Sequence, residues 1–244
     1  MEENVLILGA TSDMAVAIAR QLALEGYSIT LAARNTERLQ ALEGDLRVRY
    51  KVTVSSVRFD ALDFASHQSF YDALSEKPDI VICVFGLLGD QRIAQQDWQQ
   101  AQLIIDSNYT GAASILNVIA NDFERRKKGV IVGISSVAGD RGRQSNYFYG
   151  SAKAGFTAYL SGLRNRLYHH GVHVVTVKPG FVKTKMIENL PTPGPLTASP
   201  KDVAEKISRV IKKKNNTVYV LSVWRLIMFV IKAIPEGIFK RLKL

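Results

Sequence analysis

Tyr149 and Lys153, in the stretch NYFYGSAKAG (146–155), stand four residues apart. On a helix that spacing puts a phenol and an ammonium on one face. A tyrosine has an ordinary pKa of about 10, too high for ready proton exchange at neutral pH. A neighbouring cation favours phenolate and lowers that value. The pair therefore reads as a proton donor to an oxygen gaining negative charge, as reduction of a carbonyl requires. Tyr147 lacks this spacing to Lys153 and reads as a wall or packing residue. The run GVIVGISSVAG (129–139) ends a strand in Ser135 and Ser136. A serine hydroxyl there can hold the same oxygen for protonation.

Elements must bring these groups together. Seven runs read as strands: 4–9, 28–33, 52–59, 79–86, 129–136, 173–180 and 217–221. Several are apolar on both faces, as a buried parallel sheet demands. Helical stretches alternate with them, such as 13–26, closed by Gly26 at a C-cap. The expected fold is α/β: a doubly wound, Rossmann-type, mostly parallel seven-stranded sheet with helices on both faces, in one domain spanning 1–244. The Pro-rich stretch 188–200 reads as a mobile loop over the substrate, or else as an ordinary surface connection.

The chain of 244 residues suits one such domain. Its single cysteine, Cys83, excludes an internal disulfide and a multi-cysteine zinc site, and the four histidines have no metal-ligand spacing. No metal is expected. The start, MEENVLILGA, lacks the basic and long apolar segments of a secretory leader, so a cytoplasmic location is the expectation. Net charge is +10, unevenly placed. Residues 201–244 hold 11 Lys/Arg against 3 Asp/Glu, and the rest of the chain is nearly balanced, at 21 against 19. A near-neutral body speaks against nucleic acid and for an anionic partner at the C-terminus.

LILGATSDMAVAIA (6–19) puts Gly9 at a strand end with a helix directly after it. Backbone N–H groups at a helix N-terminus attract a pyrophosphate, and glycine permits close approach. Gly9, Thr11, Ser12, Asp13 and Met14 are the candidate contacts, with Ser12 and Asp13 also able to cap the helix. The second strand ends LAARN. Ala33 stands where an acid would favour NAD(H), and Arg34 follows, its guanidinium suited to a 2′-phosphate. NADP(H) is therefore expected over NAD(H), with Ser12 and Asn35 assisting.

The chain resembles the short-chain dehydrogenase/reductase family over nearly its whole length. The catalytic serine of that family lies thirteen residues before the tyrosine, which selects Ser136. NYTG supplies Asn108 and Gly111 in the family's N-x-x-G context. The resemblance thus implies a tetrad of Asn108, Ser136, Tyr149 and Lys153, with Lys153 also holding the nicotinamide ribose and Asn108 a water. KPGFVKT (178–184) matches the P-G turn, implying that Pro179, Gly180, Val182 and Thr184 line the nicotinamide and its phosphates. Asp60, followed by Ala61, matches the acid placed by the adenine. Where the family has N-N-A-G, this chain has Cys83, Val84, Phe85 and Gly86. The adenosine side is therefore lined differently, with Val84, Phe85 and Gly86 as backbone neighbours. A homo-oligomer is also implied.

LLGDQ (87–91), VAGDRGRQSNYFYGSAKAG (137–155) and the tail VWRLIMFVIKAIPEGIFKRLKL (223–244) resemble a subgroup that includes decaprenylphosphoryl keto-sugar reductases. That implies reduction of a 2-keto pentose on a polyprenyl phosphate, in cell-wall arabinose synthesis. The tail, 222–244, is apolar and basic, and can lie on an anionic membrane surface or pack against the protein or a second subunit. Arg141, Arg143, Lys183 and Lys185 are candidates for a substrate phosphate, or else solvated surface charges. Two competing readings remain: a reductase of a soluble or acyl-carrier-bound ketone, and a non-catalytic NADP-sensing protein on the same fold.

Overall fold

The runs apolar on both faces become the strands of a parallel sheet. The computed structural model describes residues 3–188 and 191–242. In chain order the strands are β1 (Asn4–Leu8), β2 (Ser28–Ala33), β3 (Val54–Arg58), β4 (Ile80–Cys83), β5 (Gly129–Ile134) and β6 (Val172–Lys178). A two-residue pair follows, β7 (Phe181–Val182) and β8 (Thr197–Ala198), and then β9 (Thr217–Tyr219). The main sheet has the order β3-β2-β1-β4-β5-β6-β9. All its pairings are parallel. The expected sheet was mostly parallel; no antiparallel strand joins it among the described residues.

Helices cover both faces: α1 (Asp13–Leu24), α2 (Gln40–Tyr50), α3 (His67–Asp72), α4 (Gln91–Ala94), α5 (Trp98–Ile105), α6 (Gly111–Arg126), α7 (Tyr147–Leu167), α8 (Pro200–Lys213), α9 (Val223–Ala233) and α10 (Glu236–Phe239). The two-residue period of β1 sorts its side chains. Val5 and Ile7 join a core with Ile18 and Leu22 of α1 and Ile207 of α8. Leu6 and Leu8 join the opposite core with Ile115 of α6 and Phe156 and Leu160 of α7. The strand order reverses between β1 and β4, and ligands of open α/β sheets bind beyond the carboxyl ends of strands at such a point.

Three local features shape that crevice. Between α5 and α6 the helix widens into a π turn, Asp106–Thr110. There the Asn108 amide donates to the Ile104 carbonyl, four residues back, at 2.8 Å, and so competes for the helix's own acceptor. The Pro-rich stretch is partly regular structure. Gly194–Leu196 form a 3-10 turn, Thr197–Ala198 pair with β7, and Ser199 caps α8 in a capping box with Asp202. Asn189 and Leu190, inside that stretch, lie outside the described residues, as do Lys243 and Leu244 of the tail.

The edge strand β9 precedes the tail, which forms α9, breaks at Pro235 and continues into α10. One face of α9 packs inward through Trp224 and Met228, which are buried with Val137. The opposite face exposes Leu226, Phe229 and Val230.

Candidate active site

The carboxyl ends of β4, β5 and β6 open into one cavity of about 620 Å³. Of the predicted catalytic groups, Asn108, Ser136, Tyr149 and Lys153 all line it. Tyr147 does not line it; it is exposed and tilted against Phe148.

Each group has a reason for its place. Ser136 ends the β5 segment and caps a short 3-10 turn, its hydroxyl accepting from the Ala138 N–H at 3.1 Å. The hydroxyl of Ser135 bonds the Lys153 carbonyl and Thr157, tying β5 to α7. Ser135 therefore has structural duties, and Ser136 keeps its hydroxyl by Tyr149. Lys153 is buried, and its Nζ donates to the Ile134 carbonyl at 3.0 Å. Among the described residues it has no carboxylate partner. The same Nζ lies 5.8 Å from the Tyr149 ring centre.

The expectation that Lys153 makes Tyr149 acidic is not what this pocket shows. Burial pushes the Tyr149 pKa up, and the Ser136 hydroxyl only partly opposes that. Burial also pulls the Lys153 pKa down, to about 8. Both groups are desolvated, so both charged forms are disfavoured. In this geometry the phenol stays protonated, ready to act as an acid.

Asn108 is a clamp before it is anything else. Its amide donates to the carbonyls of Leu87 (2.6 Å) and Ile104 (2.8 Å), and its oxygen accepts from the Leu87 N–H (3.2 Å). Both donors are occupied, so a water held by this side chain has one oxygen lone pair available. The clamp fixes Gly86 against α7. A Cβ on Gly86 would stand 2.6 Å from Asn108 Oδ1 and 3.3 Å from Lys153 Nζ.

The predicted cofactor residues divide in two. Met14, Phe85, Gly86, Pro179, Gly180, Val182 and Thr184 line the cavity beside the tetrad, as does Val84. Gly9, Thr11, Ser12, Asp13, Arg34, Asn35, Asp60 and Ala61 lie outside its lining, in the first turn and after β2 and β3. The first turn fits a dinucleotide phosphate. Gly9 has φ +92°, and a Cβ there would meet the Phe85 backbone at 2.8 Å. Ser12 caps α1 by accepting from the Ala15 N–H. The N–H groups of Asp13 and Met14 have no intrahelical acceptor. The Asp13 carboxylate is turned aside and accepts from the Lys185 N–H at 2.8 Å, so it latches the 183–188 segment rather than capping α1. Arg34 and Asn35 are exposed at the end of β2. Asp60 accepts from the Leu62 N–H, and its carbonyl bonds buried His67.

Three of the four basic candidates for a substrate phosphate do not line the cavity. Lys183 and Lys185 are exposed and outside the lining. Arg141 is engaged by the tail. It donates to the carbonyls of Ile231, Lys232 and Ile234, pairs with Glu236 and stacks on Phe239. Arg143 does line the cavity.

Sequence reasoning missed Gln91, Asn146 and Trp224, which also line it. Trp224 was readable only in part. A Cβ on Gly180 would collide with its indole ring, so the glycine of the P-G turn admits an aromatic wall from α9. Nothing local in the sequence pairs positions 180 and 224.

A parallel doubly wound sheet with a Ser, Tyr and Lys gathered beyond its carboxyl ends defines a nucleotide-fold oxidoreductase. The chain belongs to the short-chain dehydrogenase family, whose sequence model matches residues 3–193. It is 34% identical to an uncharacterized oxidoreductase of Mycobacterium tuberculosis, over 98% of this chain and 96% of that one. It is 31% identical to serine 3-dehydrogenase of Agrobacterium fabrum, over 76% and 74% of the two chains. In fold it is similar to a short-chain dehydrogenase from Sphingobium yanoikuyae solved with NADPH. That match has a TM-score of 0.82 and 22% identity, over 96% and 97% of the chains.

Proposed function

We propose that this short-chain dehydrogenase reduces a carbonyl to an alcohol with NADPH, and that its substrate is a keto-sugar carried on a polyprenyl phosphate. The observation that carries the redox reading is the convergence of Ser136, Tyr149 and Lys153 on one cavity. The bound dinucleotide supplies the hydride. Tyr149 gives its proton to the carbonyl oxygen as charge develops there, and Ser136 donates a hydrogen bond to the same oxygen. Lys153, held on the Ile134 carbonyl, would bring positive charge to the site and would hold the ribose beside the nicotinamide. Asn108 acts by fixing the 86–87 backbone between the strand end and α7.

Arg34 supports the NADPH preference, since it stands exposed after β2 with Ala33, not an acid, before it. Enzymes of similar fold crystallised with NADPH include an actinorhodin polyketide ketoreductase, with a TM-score of 0.79. The tail supports the lipid-linked substrate. α9 both walls the cavity through Trp224 and presents Leu226, Phe229 and Val230 outward. That outer face, with Arg225 and Lys232 beside it, suits the cytoplasmic side of an anionic membrane. A homo-oligomer is compatible with this placement.

The test sets NADPH against NADH, and a polyprenylphosphoryl 2-keto pentose against a 3-oxoacyl thioester. Turnover of the keto-sugar with NADPH is the expected outcome. Arg34→Asp should cut the NADPH-over-NADH ratio of kcat/KM by at least about tenfold, as loss of a charged phosphate contact implies. An unchanged ratio would remove Arg34 from the site, and preference for the thioester would replace the substrate.

A further inference from the structure

Three side chains of the cavity each keep a buried polar atom with no hydrogen-bond partner in the protein: Gln91 Nε2, Arg143 Nε and Asn146 Oδ1. Buried polar groups are paired in the great majority of cases, so three orphans among the residues lining one cavity need a reason. Each of the three atoms is closed to solvent as it stands, so a ligand meets it only once its side chain turns toward the cavity.

Their surroundings sharpen the point. Gln91 uses its oxygen to accept from the Phe148 N–H at 3.1 Å, which points its amide nitrogen elsewhere. Asn146 stands at the N-cap of α7, where asparagine normally caps, yet its side chain makes no capping bond. Arg143 rests Nη2 on the thioether of Met228, a weak acceptor, at 3.3 Å. The acid that could neutralise it is Asp140, but both Asp140 oxygens are engaged, one by Lys178 and the other by the Tyr219 hydroxyl at 2.7 Å. Burial works against the Arg143 charge, and Asp140 only partly offsets that.

We infer that Gln91, Arg143 and Asn146 form a substrate-recognition subsite for an anionic, hydroxylated carbonyl compound. Once turned into the cavity, the two donors, one of them charged, take the oxygens of a phosphate or similar anion. The Asn146 oxygen accepts from a neighbouring hydroxyl. This deepens the reading of the cavity as the place of carbonyl reduction and rests on it. The subsite also links the tail to selectivity, because Met228 of α9 holds the guanidinium in place.

Calorimetric titration of the full chain with three ketones tests this by binding, apart from turnover. Dihydroxyacetone phosphate should bind roughly 10- to 100-fold more tightly than dihydroxyacetone, the range a charge-assisted hydrogen bond supplies. Arg143→Met should abolish that difference, and Arg143→Lys should keep part of it. Hydroxyacetone phosphate, which lacks the free hydroxyl, should bind more weakly than dihydroxyacetone phosphate, and Asn146→Leu should close that gap. Competition by farnesyl phosphate would assign the anion to a lipid-linked substrate. Competition by inorganic phosphate alone would assign it to a soluble ester. Equal binding of the first two ketones by the unaltered chain overturns the subsite, even if a variant fails to fold, as does a preference that survives Arg143→Met. Failure of NADPH-dependent reduction while the phosphate preference persists would instead reject the redox reading of the cavity.

Discussion

Burial acts on Tyr149 and Lys153 in opposite directions, raising one pKa and lowering the other. The phenol is thereby kept as an acid, while the ammonium is the group that titrates within reach of ordinary conditions. Carbonyl reduction in this geometry needs Tyr149 protonated and Lys153 charged. As pH rises through about 8, Lys153 loses its proton first. The kcat/KM for reduction should therefore fall above that value, by about tenfold per pH unit once a single proton is lost. Stability should move the other way. The folded pKa lies below the unfolded value of about 10.4, so the unfolded chain binds more protons between the two and Lys153 penalises folding less as pH rises. A flat rate profile from about pH 6 to 10 would show that Lys153 charge has no part in the step.

Between elements, the decisive contact joins the tail to the loop after β5. Arg141 collects three carbonyls at the end of α9, together with Glu236 and the Phe239 ring. A helix C-terminus leaves its last carbonyls unpaired, and a guanidinium satisfies several at once. Arg141→Met should leave the sheet folded but loosen α9 and α10. Proteolysis should then cut within 223–242 well before the body of the chain, and the melting temperature should drop by a few degrees. That drop corresponds to roughly 1.5–3 kcal/mol for hydrogen bonds to a charged group. Equal protease resistance of the two proteins would deny Arg141 this role. The same contact shows where local reading stops. The strands at 28–33 and 129–136, the capped start of α1 and the four-residue gap between Tyr149 and Lys153 are written in neighbouring residues. Periodicity and spacing reveal such features. The partners of Arg141 lie about ninety residues away, as does Met228 from Arg143. Only the path of the chain brings those pairs together, so a basic residue near the site could not be sorted into latch or ligand.

For the whole molecule, the charge asymmetry and the tail's shape coincide. The net charge of +10 resides mostly in 201–244. Next to the exposed Leu226 and Phe229 lies a groove of about 660 Å³ that also takes in Tyr219, Arg225 and Lys232. No described helix is long and apolar enough to cross a membrane. Contact with a lipid surface would therefore be lateral, with each basic residue contributing roughly 1 kcal/mol at an anionic leaflet. Vesicles of phosphatidylglycerol should carry the protein down in sedimentation, and neutral phosphatidylcholine vesicles should not. Phe229→Glu, at an exposed position, should weaken that binding without lowering the melting temperature. Absence of sedimentation with the anionic vesicles would leave α9 as wall and packing element alone.

Proton donation by Tyr149 is the claim on which the reaction depends, and the rate of hydride transfer with and without that phenol tests it most directly. With NADPH carrying deuterium at the transferred position and a carbonyl substrate in excess, the alcohol formed should gain one deuterium. In Tyr149→Phe the label should reach product roughly 100- to 10,000-fold more slowly, with NADPH affinity unchanged. Deuterated alcohol appearing from Tyr149→Phe at close to the unaltered rate would contradict the account.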